Sequence, residues 1–349
     1  MSESSSNTKK PLIGLTLEGL RDVCAQVGAK PFAAKQIARW LYVAKVTDID
    51  EMTDLSKAVR QRLSESYVIG REQPKAEAKS SDGTIKYLFA ANATHDVESV
   101  YIPDKERATL CVSSQAGCRM GCVFCMTGRQ GFHGHLTAAQ VMNQILTIDA
   151  VTPLTNIVFM GMGEPADNLD VVLQVIEILT SNWGMAWSPK RITVSTIGRL
   201  PELERLLNET KVHIAISVHS PFPEKRAKLM PSERAWHLQD IFKVLARYDW
   251  RKQRRLSVEY IVWRGVNDDL RHADALARLV RGVDARVNLI RFHDIGDTTL
   301  QPASREIMER FRDRLNEQGV TATIRASRGE DIMAACGMLA GKSNAARKD

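Results

Sequence analysis

The sequence predicts an α/β fold: an open, partial (β/α)6 barrel with a small N-terminal helical accessory domain and a C-terminal segment. From about residue 104, apolar runs of strand length alternate about six times with amphipathic helical segments, as in a parallel sheet with crossover helices. The predicted strands are almost continuously apolar, as strands covered on both faces must be. About six units are fewer than the eight of a closed barrel, so we expect an open one. With 44% apolar residues in a chain of 349, a core of this size can be buried.

Residues 1–82 are predicted to form the helical accessory domain, because apolar residues recur at helical spacing in 17–27, 31–42 and 55–67. Basic side chains give these helices cationic faces suited to RNA; they are Lys35, Arg39, Lys57, Arg60 and Arg62. Residues 83–103 follow as a β-hairpin connector, since 85–89 and 97–102 have the period of a strand. From its pattern alone, Glu98 on the second strand would be an exposed carboxylate.

The barrel is predicted over residues 104–327. Thr137 and Gln140 form a capping box at its first helix, and Ser304 and Gly319 bound its last helix. The predicted strands are 108–113, 156–160, 191–195, 212–217, 256–263, 286–292 and 321–326. The predicted helices are 137–149, 170–179, 201–207, 235–248, 269–280 and 304–319. Ligands bind at the carboxyl ends of such strands, so the residues after each strand are the candidates for function.

Residues 328–349 form the C-terminal segment, which carries Cys336 between small residues and ends in a basic tail, 342–348. The net charge of +7 and the pI near 9.1 favour a polyanionic partner. A second basic run, 250–255, holds four cations in six residues. The alternative for both runs is a solvated loop or tail.

Sequence patterns also predict the compartment. The longest apolar runs have strand length and are interrupted by charges, which predicts no membrane-spanning helix. The first ten residues are polar, unlike a secretory signal. Six cysteines in a chain this long do not make a disulfide scaffold, so we expect a cytoplasmic protein with no membrane partner.

Three cysteines, Cys118, Cys122 and Cys125, follow the first barrel strand in a C-x3-C-x2-C spacing. That spacing lets three thiolates converge from one loop on a single inorganic centre. Structural zinc and cubane iron–sulfur clusters usually take four protein ligands, so three thiolates leave one metal corner open for chemistry. The alternative is a zinc site completed by His133 or His135.

Polar or conformationally permissive residues follow most of the other strands. Two glycines and Glu164 follow the second strand, where the glycines can expose backbone groups to a ligand and the carboxylate can accept from an ammonium group. The further candidates, which lie at or just beyond the ends of later strands, are Ser195, Ser217, Val218, His219 and His293. Together they predict one polar ring above the sheet.

The aromatic residue before the last cysteine completes the pattern C-x3-C-x-aromatic-C, which resembles the signature of the radical S-adenosylmethionine (radical SAM) superfamily. In that superfamily, three thiolates hold a 4Fe-4S cluster, and the amino and carboxylate groups of SAM bind its fourth iron. Three further stretches, 111–115, 127–132 and 328–337, are similar to the RlmN/Cfr family of RNA methyltransferases. This resemblance covers about residues 15–341.

The resemblance implies a radical SAM barrel that transfers a methyl group to C2 of an adenosine in 23S rRNA and of the adenosine beside the anticodon in tRNA. It implies two SAM molecules per turnover and an electron donor such as flavodoxin or ferredoxin. Family members that methylate C8 of the same rRNA nucleotide share these motifs, so the choice between C2 and C8 stays open. A non-catalytic zinc protein that binds RNA is the third alternative.

Carried over position by position, the resemblance also assigns roles. Cys336 becomes S-methylated, Cys111 pairs with it in a transient disulfide, and Glu98 is the proton acceptor. The cluster ligands are Cys118, Cys122 and Cys125. The SAM contacts are Gly163, Glu164, Ser195, Ser217, Val218, His219 and His293. The chain departs from the family pattern at His293 (usually Asn), Gly134 (usually Arg) and Met338 (usually Gln), and 293–300 lacks the usual proline-rich loop.

Overall fold

The computed structural model describes residues 9–252, 254–296 and 298–341. Contacts between residues divide the chain into two compact units. The first comprises residues 1–73, 136–153 and 170–188, and the second comprises 74–135, 154–169 and 189–349. The basic tail, 342–348, lies outside the described residues. No helix in the described part is long and apolar enough to cross a membrane.

The first unit is helical, as predicted for the N-terminal region. It contains the parallel pair β1 (Lys10–Pro11) and β2 (Tyr67–Val68) and the helices α1 (Leu17–Gln26), α2 (Ala33–Arg39) and α3 (Lys57–Ser66). Thr16 and Ser56 cap α1 and α3 with their side-chain oxygens, which satisfies amide groups that a helix start leaves unpaired. The chain continues from α2 through a π-helical turn, Trp40–Ala44.

Two later helices belong to the same unit: α5 (Ala138–Val151) and nearly all of α6 (Leu169–Thr180). α5 opens with the predicted capping box of Thr137 and Gln140. Its buried Asp149 pairs with Lys45 at 2.6 Å. Gly14 has a φ of +86°, and a Cβ there would lie 2.4 Å from the Ala139 amide nitrogen, so only glycine fits this approach.

The second unit is built on a ten-stranded sheet, ordered β14-β13-β12-β11-β10-β9-β6-β5-β4-β3. The stretch from β6 to β14 is parallel and the β3–β6 end is antiparallel. The strands are β3 (Ala76–Lys79), β4 (Ile85–Ala90), β5 (Asp96–Asp104), β6 (Arg107–Cys111), β9 (Asn156–Phe159), β10 (Ile192–Thr196), β11 (His213–Ser217), β12 (Leu256–Val262), β13 (Ala285–Arg291) and β14 (Ala322–Ile324). The helices after β10 are α7 (Leu200–Glu209), α8 (Pro223–Leu229), α9 (Leu238–Leu245), α10 (Leu270–Val280) and α11 (Arg305–Glu317).

The structure confirms the predicted α/β class, the parallel strands and the β4–β5 hairpin. It differs in detail at three places. β3 extends the sheet within a region that the sequence placed in the helical domain, α8 is an additional helix, and α9 is shorter than the predicted 235–248. The loop after β6 also contains a small hairpin of β7 (Gln115–Gly117) and β8 (Phe132–His135), with the short helix α4 (Met126–Arg129) between them.

Candidate active site

The β7–β8 hairpin gives the cysteine loop its shape. The Cys118 amide donates to the Gly131 carbonyl at 2.8 Å, which joins the start of the loop to its end. Gly117 has a φ of +70°, and a Cβ there would lie 2.0 Å from the Gly131 oxygen. The hairpin can therefore close only with glycine at this position, and closure places the three cysteines within one tight loop.

The three loop thiols lie in a desolvated cluster. Cys118 and Cys122 are buried and Cys125 is half-buried. Burial raises the pKa of Cys118 to about 12, and nearby Glu164 and Cys125 add to the shift. Burial also raises the pKa of Cys122 far above its ordinary value, with further contributions from Cys125 and Cys118. Three thiolates so close together need a cationic centre, and three sulfur donors from one loop fit the 4Fe-4S cluster of radical SAM proteins.

The histidines of the zinc alternative have other partners. The His133 ring stacks on His95 with centroids 3.8 Å apart, and the His135 ring pairs with Gln115 at 3.1 Å. Within the described residues, no group of three His, Cys, Asp or Glu side chains is spaced to hold a single metal ion.

An aromatic wall lies beside the cysteine loop. Phe124 is buried, and its ring centroid is 4.7 Å from that of His219 and 5.1 Å from that of Trp263. Phe124 and Trp263 belong to one apolar cluster with Cys118 and Cys122, which also contains buried Ile197, Met230, Ile261 and Phe292. This packing excludes water from the cysteine loop, as a reducible cluster requires.

His219 is held as a neutral ring. Its Nδ1 accepts from the Ile261 amide at 3.1 Å, so the ring proton is on Nε2. Burial, and then the charge of Arg226, lowers its pKa to about 3. Its φ of +57° is uncommon for a residue with a side chain, and Asn267 holds its carbonyl at 2.6 Å. A non-glycine residue held in this conformation indicates a functional constraint.

Glu164 lies at the carboxyl end of β9, in the position predicted for a SAM contact. Its carboxylate accepts from the Thr196 hydroxyl and from the amides of Ile197 and Ala166, at 3.1 and 3.2 Å for the amides. Burial nevertheless raises its pKa to about 7. The preceding Gly163 has a φ of +98°, and a Cβ there would lie 2.5 Å from the Gln115 Cβ. A buried carboxylate with so high a pKa is suited to pairing with an incoming cation.

The strand ends at β10 and β11 are held by a residue that the sequence analysis missed. Arg226 on α8 is fully buried and pairs with buried Glu233. It donates to the carbonyls of Ile197, Ser217 and Val218, at 2.9–3.2 Å. Arg226 thus fixes the backbone beside two predicted SAM contacts. Only its position between two prolines in a basic stretch marked it in the sequence.

The remaining predicted SAM contacts lie at other points of the same edge. Ser195 is half-buried on β10, in register with Ala215. His293 follows β13 and is buried, with its Nδ1 3.2 Å from a Glu330 carboxylate oxygen but not aligned for a hydrogen bond. His293 therefore lies where the C-terminal segment passes the sheet.

Cys111 and Cys336 come within electrostatic reach of each other. Cys111, at the end of β6, is buried, and its thiol pKa is raised first by burial and then by Cys336. Cys336 is accessible to solvent, yet surrounding protein raises its pKa to about 11, with contributions from Glu259 and Cys125. Both are free thiols.

The backbone carbonyl groups of the C-terminal segment accept hydrogen bonds from the residues that follow the cysteine loop. The Met126 amide donates to the Gly337 carbonyl at 2.8 Å, and the Thr127 hydroxyl donates to the Leu339 carbonyl at 2.8 Å. Gln130 donates to the Ala340 carbonyl at 2.9 Å. These bonds place Cys336 beside the predicted cluster ligands.

Glu98 corrects the expectation of an exposed strand carboxylate, because it is 1% exposed. One carboxylate oxygen lies 3.0 Å from the Lys86 ammonium, and the other accepts from the amides of Ala340 and Gly341 at 2.7 and 3.2 Å.

The sequence analysis also missed Glu259, a buried residue on β12. Its carboxylate accepts from the side chains of Ser257 and Asn288 at 2.8 Å each.

The structure shows the surroundings of two residues that depart from the family pattern. Met338 is buried and packs with Ile295 and Ala335 in a small apolar cluster. Gly134 has a φ of +137° and open space where a Cβ would lie. Met338 thus contributes apolar packing. At Gly134 there is room for a side chain, but the backbone conformation is one that favours glycine.

Comparison with known proteins agrees with this geometry. Residues 10–69 match the family model of the ribosomal RNA large subunit methyltransferase N-terminal domain, and residues 112–277 match that of the radical SAM superfamily. The probable dual-specificity RNA methyltransferase RlmN of Phocaeicola vulgatus is 56% identical over 95% of each chain. That of Bacteroides fragilis is 56% identical over 95% of this chain and 96% of its own. A radical SAM methyltransferase from Sphaerobacter thermophilus has a crystal structure similar to this one, with a TM-score of 0.89 and 37% identity over 95% of this chain and 100% of that one.

Proposed function

The chain belongs to the RlmN family of radical SAM RNA methyltransferases, and from that premise we propose that it methylates C2 of an adenosine in 23S rRNA and of the adenosine beside the anticodon in tRNA. Such a protein uses a 4Fe-4S cluster and SAM. The observation that carries the proposal is that Cys336 and Cys111 lie within electrostatic reach of each other, at a cysteine loop built for a cluster.

We assign Cys118, Cys122 and Cys125 as the cluster ligands, because their thiols lie together in a desolvated loop. When bound, the cluster supplies the electron that cleaves SAM. Glu164 would hold the SAM ammonium, since its buried carboxylate gains a charge partner there. Gly163, Ser195, Ser217, Val218, His219 and His293 would shape the rest of the SAM site.

Adenine C2 is an electron-poor ring carbon and does not attack a methyl cation donor directly. We therefore assign Cys336 as the first acceptor: its thiolate attacks the methyl carbon of one SAM and releases S-adenosylhomocysteine. A radical derived from a second SAM then removes a hydrogen atom from the S-methyl group, and the resulting carbon radical adds to C2. C2 loses its proton, for which Glu98 is assigned as the acceptor, and one electron, which would return to the bound cluster. The Cys111 thiolate attacks the Cys336 sulfur, which breaks the bond to the RNA-borne carbon and leaves a disulfide, and that carbon takes up a proton to become the methyl group.

The proposal includes a cytoplasmic setting, because a low-potential cluster needs a reducing compartment. It also includes a flavodoxin or ferredoxin as the electron donor. Reconstituted protein should be incubated anaerobically with SAM, a reductant and either 23S rRNA fragments or tRNA. We expect mass spectrometry of the digested RNA to detect 2-methyladenosine with both RNAs. A product methylated at C8 would overturn the regiochemistry, and unmodified tRNA would restrict the substrate to rRNA.

A further inference from the structure

We propose that Lys86 and Glu98 form a buried ionic clasp that positions Cys336, so that Glu98 is needed for the first methyl transfer, before any RNA binds. This rests on the proposed function and adds a second task to Glu98, which was assigned above only to the RNA step. The clasp is defined as the Lys86–Glu98 pair together with the backbone groups that it binds in residues 333–341.

The clasp holds both sides of the turn that carries Cys336. The Lys86 ammonium donates to the Met333 carbonyl at 3.4 Å, three residues before Cys336. The Glu98 carboxylate accepts from the amides of Ala340 and Gly341, four and five residues after it. The two side chains are only 7% and 2% exposed, and they lie 3.0 Å apart. Each member of the pair is thereby satisfied by the other and by the segment.

Sheet register explains why the clasp faces the reactive cysteines. Lys86 lies opposite Val100, Glu98 opposite Leu88, and Cys111 opposite Val100. Residues opposite each other on neighbouring strands, and residues two apart on one strand, point to the same face. Lys86, Glu98 and Cys111 therefore share one face of the sheet, and the clasp ties the Cys336 segment to that face.

Bonds to the cysteine loop also hold the segment after Cys336, whereas the side-chain contact of Asp331 before it is too exposed to replace the clasp. Asp331 accepts from the Ser80 hydroxyl at 2.6 Å at an exposed site, where such bonds contribute little. A buried pair differs, because removal of one partner leaves the other charge uncompensated. At the far end, a Cβ on Gly341 would lie 2.2 Å from the Asp96 carbonyl oxygen, so the segment ends in close contact with β5.

The test separates positioning from proton transfer by leaving RNA out. The protein is expressed without its cluster, so that Cys336 is not methylated beforehand, and is then reconstituted. It is mixed with labelled SAM, and S-methylation of Cys336 is followed by mass spectrometry. We expect Glu98→Gln and Lys86→Met each to slow it by about tenfold or more, since either leaves a buried partner uncompensated. The double variant should slow the methylation of Cys336 by less than the two single effects combined, because neither buried charge remains.

Two further measurements exclude a general loss of structure. The clasp variants should keep wild-type iron content and SAM affinity, while amide hydrogen exchange at Ala340 and Gly341 becomes faster. Lys75→Met is the matched control, since Lys75, just before β3, forms an exposed pair at 2.6 Å with Asp96 at the start of β5. We expect this control to leave both methylation and exchange unchanged.

The outcomes distinguish the two proposals. If Glu98→Gln methylates Cys336 at the wild-type rate and Ala340 and Gly341 exchange as before, the clasp is overturned. If wild-type Cys336 never receives a methyl group, the proposed function fails, and the exchange measurement alone decides the clasp. Loss of RNA methylation alone, with Cys336 methylated normally, would leave Glu98 only its proton-transfer role and would also overturn the clasp.

Discussion

At the scale of single residues, Cys336 and Cys111 are chemically alike but differ in their surroundings. Cys336 is exposed to solvent, whereas Cys111 is buried at the end of β6. An accessible thiol suits the methyl acceptor and a buried neighbour suits the group that resolves the adduct. This difference in access gives a physical basis for two separate roles, which the sequence could assign only by resemblance.

The two cysteine variants should therefore fail in different ways. Cys336→Ala has no acceptor for the first methyl group, so we expect neither S-methylcysteine nor a protein–RNA crosslink. Cys111→Ala can still add to adenine but cannot break the resulting bond, so it should accumulate covalently attached to RNA. Denaturing gels before and after nuclease treatment measure the attachment. Identical behaviour of the two variants would contradict the division of labour.

We expect Glu164 to make SAM binding depend on pH, if its carboxylate meets the SAM ammonium group as proposed. Its pKa near 7 is raised by burial, so the carboxyl group of the free protein takes up a proton as the pH falls through that value. The SAM ammonium favours the charged form, so SAM binding below about pH 7 must release this proton. We expect the Kd for SAM to rise by up to about tenfold per unit of pH below 7. Calorimetry between pH 7.5 and about 5.5 measures it.

Glu164→Gln is the control for this pH dependence. It keeps the size of the side chain but cannot ionise, and its amide nitrogen can replace only one of the two accepting oxygens, so the bond to the Ile197 or the Ala166 amide is lost. We expect weaker SAM binding with a flat profile over the same range. A wild-type Kd that does not change with pH would mean that Glu164 does not meet the ammonium group.

At the scale of secondary-structure elements, the parallel strands and their helices could be predicted because most strands are short, largely apolar runs between breaks. β3 could not, since Ala76–Lys79 alternates alanine with charged residues and becomes a strand only by pairing with β4. The Arg226–Glu233 pair and the clasp were also missed. Both depend on contacts that arise only when the sheet register and the course of the loops are known, and neither has a sequence period.

Arg226 links α8 to the ends of β10 and β11, and its loss should affect both stability and SAM binding. Arg226→Met would leave Glu233 buried without its partner, which costs about 3–5 kcal/mol. We expect a fall of that size in the free energy of unfolding, measured by chemical denaturation, and weaker SAM binding as the Ser217 and Val218 carbonyls lose their donor. The double variant Arg226→Met, Glu233→Gln should recover part of the stability, and equal losses in the single and double variants would contradict a charge-based clamp.

At the scale of the whole molecule, the positive charge is spread over many surfaces, and the structure changes how one of them is understood. In the basic run 250–255, Arg254 is buried and donates to the carbonyls of Leu207 and Thr210, so it supports the fold. Arg251, Lys252 and Arg255 are exposed. They precede β12, whereas the candidate active site lies where the parallel strands end. We therefore expect any RNA that this run binds to lie at a distance from the reacting base.

Such a surface should change RNA affinity without changing the chemistry. Neutralising Arg251, Lys252 and Arg255 with glutamine should weaken RNA binding and flatten its salt dependence, by about 0.7–0.9 in log–log slope for each RNA phosphate that is no longer neutralised. The rate at saturating RNA should stay the same, because no residue at the strand ends is altered. A matched variant that neutralises Arg281, Arg305 and Arg310, all exposed, removes the same charge elsewhere in the chain. If both triple variants shift the slope equally, net charge alone governs binding, and if neither does, the run is only solvated surface.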